Sequence, residues 1–149
     1  MKTKLVHGIQ AAALGAALVA IVPAQATSLP QVRHSGAIEY LSGGIGHDEA
    51  VAIEAASAHW PVTMEFAVRD GKRADFAADV QVEVRDAQGR VALDTRSSGP
   101  FLLARLQPGS YSVRATLGDH TLQQALHVSS GKPSRVVFVW PAGTDERSG

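Results

Sequence analysis

His59 and Trp60 stand next to each other in this chain, and Trp140 lies close to its C-terminal end. Indole rings are flat and polarisable and carry one N–H, so two exposed ones make a stacking platform for a sugar ring or a peptide. The same two rings would serve equally well to seal the ends of a hydrophobic core, and the sequence leaves both uses open. His34, His47, His59, His120 and His127 never fall in the His-x-x-x-His or His-x-x-Glu spacing that aims ligands at one metal. The chain has no cysteine, so thiolate ligands and disulfides are excluded. Asp70, Asp75 and Asp79 share one polar stretch with Lys72 and Arg73, without the alternating oxygen spacing of a calcium loop. Gly43, Gly44 and Gly46 precede a helical stretch, but no Lys-Ser/Thr pair follows, and Asp48 and Glu49 would repel a phosphate there. No Gly-x-Ser-x-Gly elbow is present to orient a nucleophile. These residues predict no catalytic set, no metal site and no cofactor; the ligand-binding candidates are His59, Trp60 and Trp140.

Positioning those side chains falls to an alternating pattern that begins at Trp60. Val62, Met64, Phe66 and Val68 alternate with Thr63, Glu65, Ala67 and Arg69, the period of a half-buried strand. Val80, Val82 and Val84 repeat it, and Asp86-Ala87-Gln88-Gly89 supplies a turn that returns Arg90–Thr95 as a hairpin partner. Phe101–Leu106 is nearly all apolar, which fits a strand covered on both faces or a buried crossover. Gln107-Pro108-Gly109 turns the chain into Tyr111–Leu117, Gly118-Asp119 into His120–Val128, and Gly131-Lys132-Pro133 into Val136–Trp140. Asp70–Ala77 is expected to be a loop. The pattern predicts an all-β fold: a seven-stranded antiparallel Greek-key sandwich, residues 60–141, with one short N-terminal helix. That helix is expected over Asp48–Ala58, capped by Asp48 or His47, after an extended lead-in; lead-in and helix together occupy 27–59. Residues 142–149 are expected to be a disordered tail.

The first 26 residues read as a signal peptide. Lys2 and Lys4 precede an apolar run, Pro23 interrupts it, and Ala24-Gln25-Ala26 offers a cleavage site near Ala26. The run is shorter than the roughly 20 residues that a membrane-spanning helix needs. The expected location is therefore periplasmic or secreted, and the protein is not expected to be membrane-integral. Cleavage removes two lysines and no acid, leaving a slightly acidic chain with scattered positive charge, which argues against a nucleic-acid partner.

The run Val82-x-Val84-x-Asp86-x-x-Gly89, then Gly99-x-Phe101, then Leu106-x-x-Gly109-x-Tyr111-x-Val113, resembles the carboxypeptidase regulatory-like domain. That resemblance implies a transthyretin-like sandwich over about Phe66–Trp140. It also implies a non-catalytic module. The element Ser42-Gly43-Gly44-Ile45-Gly46-His47-Asp48-Glu49 followed by this sandwich looks like a group of small exported bacterial proteins. The expected function is binding of a protein or cell-envelope component. The alternative is a carbohydrate-type ligand held by exposed tryptophans. The sequence does not specify an oligomeric state.

Overall fold

A computed structural model describes residues 12, 13, 15–21 and 28–145. Most of the expected signal peptide, and residues 146–149 of the expected tail, lie outside the described residues. Among the described residues no helix is long and apolar enough to cross a membrane.

The chain is mostly β-strand, arranged as two sheets with one helix. The strands are β1 (Arg33–Ser35), β2 (Ile38–Gly43), β3 (Val62–Asp70), β4 (Arg73–Phe76), β5 (Gln81–Asp86), β6 (Val91–Arg96), β7 (Phe101–Ala104), β8 (Gly109–Leu117), β9 (His120–Val128) and β10 (Ser134–Trp140). Helix α1 (His47–Ser57) lies between β2 and β3. One sheet runs β1-β2-β7-β3-β10, with β4 paired to the far part of β3; the other runs β6-β5-β8-β9.

Alternation sends every second side chain inward. Val62, Met64, Phe66, Leu102, Phe138 and Trp140 from one sheet meet Val82, Val84, Leu93, Val113, Ala115 and Leu126 from the other. Phe66, Phe138 and Trp140 form an aromatic cluster with ring centroids 5.9–6.3 Å apart. A second, smaller core lies on the outer face of the first sheet. There Ile53 of α1 packs on Leu41, Phe101 and Leu103, with Trp60 closing the cluster. Strand β7 is thus buried at all four of its residues, as its unbroken apolar run predicts.

Several sequence expectations need correction. Ten strands are present among the described residues rather than seven: all seven expected strands have a counterpart, and β1, β2 and β4 are additional. The pairing is not antiparallel throughout, because β10 runs parallel to β3 from Ser134↔Val62 to Trp140↔Val68. A parallel pair needs a long crossover, and the chain from β4 to β9 supplies it. The supposed lead-in contributes β1 and β2 to the first sheet, where Leu41 pairs with Leu103 of β7. Strand β2 lacks clean alternation because its adjacent residues Tyr40 and Leu41 are both buried, Tyr40 in the main core and Leu41 against α1. Finally, part of the supposed tail is folded back: Thr144 is buried and its hydroxyl donates to the Pro141 carbonyl at 2.6 Å.

Local chemistry sets the helix entry and the turns. The N-cap of α1 is Gly46, and neither Asp48 nor His47 caps it. The Glu49 carboxylate instead accepts the Gly44 amide at 2.7 Å. Gly99 sits so close to Gly43 that a Cβ on it would collide with that backbone, which locks the β6–β7 connection onto β2. Asp86 accepts the amides of Gln88 and Arg90 at 3.0 and 2.9 Å, closing the β5–β6 turn as its position predicts.

Candidate functional site

Three connections meet at one end of the sandwich. Strand pairing puts Val62 beside both Ala104 and Ser134, so the start of β3, the end of β7 and the start of β10 emerge together. The segments leading into or out of these points, 58–61, 105–108 and 128–133, enclose a cleft of about 400 Å³. Each segment is stiffened by its own sequence. Pro61, Pro108 and Pro133 fix the backbone at the rim. The Tyr111 hydroxyl donates to the Gln107 carbonyl at 2.6 Å, tying down the middle segment. Gly131, at φ +71°, makes the turn between Ser129 and Lys132 that the Gly-Lys-Pro sequence announces.

The floor is Trp60, 6% exposed, with the Arg105 guanidinium carbon 4.1 Å from its ring centre. That cation–π contact orients Arg105 across the indole. The Glu39 carboxylate lies 3.3 Å from the Nε of Arg105. Neither terminal nitrogen of that guanidinium has a hydrogen-bond partner among the described residues. The same is true of the Lys132 ammonium and of the Ser129, Ser130 and His59 side chains, all of which line the cleft. No Asp or Glu among the described residues lines it. The chemistry is therefore cationic and donor-rich over an aromatic floor.

Part of the backbone of these segments is already engaged. Ser134 N–H donates to the Pro61 carbonyl at 2.8 Å, His59 N–H to Ala56 at 2.9 Å and Trp60 N–H to Ser57 at 3.2 Å.

Of the three sequence-predicted ligand residues, the structure brings together His59 and Trp60 and leaves Trp140 apart. Trp140 is fully buried between the sheets, its indole N–H donating to the His120 carbonyl at 3.0 Å. A platform of two exposed indoles is thus absent, because each ring gains more by filling a core than by facing water. Sequence reasoning missed Arg105, Ser129, Ser130 and Lys132, which sit in separate connections and share no local motif. Their flanking signals, Pro108-Gly109 and Gly131-Lys132-Pro133, announced turns without saying that the turns adjoin.

The remaining titratable groups are placed elsewhere. Asp70, Asp75 and Asp79 are all exposed. No group of three or more His, Cys, Asp or Glu side chains among the described residues is arranged to hold a metal. His127 contacts Ser110 at 3.3 Å on the outside of β9, and His34 lies 3.5 Å from Glu39. Arg135 of β10 fastens the helix: it donates to Glu54 of α1 at 3.0 and 2.6 Å and to Glu65 of β3 at 2.6 Å. The hydrogen bond from Arg135 holds the Glu54 carboxyl below its ordinary pKa, and the two carboxylates raise that of Arg135.

No protein-family model matches this chain, and no curated protein matches it.

Proposed function

We propose that this chain is a non-catalytic binding domain, exported to the periplasm or beyond, that holds a protein or cell-envelope component at the end of its sandwich. The observation that carries this reading is the cleft: three connections distant in sequence converge on one concavity lined by unpartnered side chains. Well-formed concavities with a few convergent polar groups are where ligands bind. The framework beneath it supports the resemblance to carboxypeptidase regulatory-like domains. In that reading β3, β5, β6, β7, β8, β9 and β10 are the seven strands of a transthyretin-like Greek key, and β1, β2, β4 and α1 are additions. Export rests on the N-terminal run from Lys2 to Ala26.

The test fills the cleft. Ser130 is exposed and lies in a turn, so Ser130→Trp occupies the concavity without touching the core. Solubilised cell-wall glycan and periplasmic protein fractions are passed over immobilised wild type and over the variant. Retention by wild type that is lost in Ser130→Trp supports the reading. Retention indifferent to the substitution, or none from either fraction, refutes it.

A further inference from the structure

The cleft's donors all ask for the same partner. We propose that the ligand is an acidic glycan, bound through a sugar carboxylate held between Lys132 and the free edge of Arg105. This inference deepens the reading of the cleft as a binding site and rests on it.

Charge comes first. Lys132 and Arg105 face the cleft from the β9–β10 and β7–β8 connections, with His59 on a third side and no carboxylate lining the space. Glu39 lies 3.3 Å from the Nε of Arg105, and the two terminal nitrogens, with no hydrogen-bond partner among the described residues, can take a second, planar acceptor. The cation–π contact with Trp60 holds that fork in place before any ligand arrives, which lowers the ordering cost of binding.

The rest of the lining selects the body that carries the carboxylate. The hydroxyls of Ser129 and Ser130 and the amide of Gln107 can exchange hydrogen bonds with sugar hydroxyls, and prolines 61, 108 and 133 provide apolar rims against a ring face. An acidic peptide fits less well. Peptides that lie along a surface in extended form draw on free backbone groups of a strand edge. Here the amides of Ser134, His59 and Trp60 are already bonded within the protein, and each proline lacks an N–H. The cleft volume of about 400 Å³ suits one or two sugar rings rather than a long chain.

Trigalacturonate, maltotriose and triglutamate are titrated calorimetrically into the full-length protein and into Lys132→Ala and Lys132→Arg. Lys132 is exposed, so neither substitution disturbs the fold. The expected result is binding of trigalacturonate alone, weakened by added salt, reduced about tenfold in Lys132→Ala and restored in Lys132→Arg. Maltotriose binding equal to trigalacturonate overturns the anion, and triglutamate binding alone overturns the glycan. Failure of all three probes while the envelope fraction is still retained in a Ser130-dependent way overturns this inference and spares the broader reading. Loss of that retention too removes both.

Discussion

Replacing Ile53 with alanine should strip the clasp that holds α1 on the outer face of the first sheet. Ile53 is the only fully buried residue of the helix, and its partners are Leu41, Phe101, Leu103 and Trp60. Truncation to Cβ removes about three methylene equivalents from a dry environment, or roughly 2.4 kcal/mol at ~0.8 kcal/mol each. A residual cavity adds to that, so we expect a loss of about 3 kcal/mol, within the usual range for such truncations. For a domain of this size that lowers the melting temperature by ~12 °C, taking ~4 °C per kcal/mol. The control is Val51→Ala, on the same helix but 53% exposed, which should change stability by less than about 0.5 kcal/mol. Thermal melts followed by far-ultraviolet dichroism measure both. Because Trp60 shares the cluster with Ile53, the Ile53→Ala protein should also show red-shifted indole emission below its melting point. Equal melting temperatures for the two variants would refute the claim that α1 is held by apolar packing and that this packing supports the cleft floor.

Two further perturbations test other parts of the structure. Val82→Asp should unfold the domain, since a charge between the sheets, with no partner there, costs about 4 kcal/mol or more. Glu83→Gln, one residue on and half-exposed, should cost less than about 1 kcal/mol, and urea melts separate the two. Glu83→Lys is the harsher change, because Glu83 lies beside Arg85 at 2.7 Å and across from Arg114. Acid should loosen the helix. Glu54 has a lowered pKa in the folded state, owing first to its hydrogen bond from Arg135. Its contribution is complete above the ordinary carboxyl value near 4.5 and is lost as pH falls through the folded value. The pair is largely exposed, so the effect is small, about 0.5–1 kcal/mol. It should vanish from the pH dependence of the melting temperature in Arg135→Ala; an unchanged acid limb in that variant would rule Arg135 out as its source.

Much of the framework is legible in the sequence alone. The period-two runs at Val62–Val68 and Val80–Val84 announce their strands, although β3 is not half-buried as expected: Thr63 and Ala67 are buried on its second face as well. Turn residues such as Asp86 and Gly131 carry their geometry in their own chemistry and need no tertiary partner. Strand β2 is illegible for the opposite reason: Leu41 packs against α1 while Tyr40 packs in the main core, so the alternation that signals a strand is blurred by contacts that exist only in three dimensions. Strand β4 is exposed at all four residues, and only pairing with β3 makes it a strand.

The candidate site divides along the same line. Composition and local pattern sufficed to set aside a thiol centre, to establish a β-rich framework and to single out His59 and Trp60. They could not say that Trp140 points into the core, because one aromatic at a strand end has no neighbours in the sequence to reveal its surroundings. Nor could they join Arg105 to Lys132. Those two line one cleft only because β10 lies parallel to β3 and β7 antiparallel to it, which brings three distant connections to one end. Periodicity is a property of a few consecutive residues, whereas a cleft is a property of strand order, and strand order is fixed by packing across the whole chain.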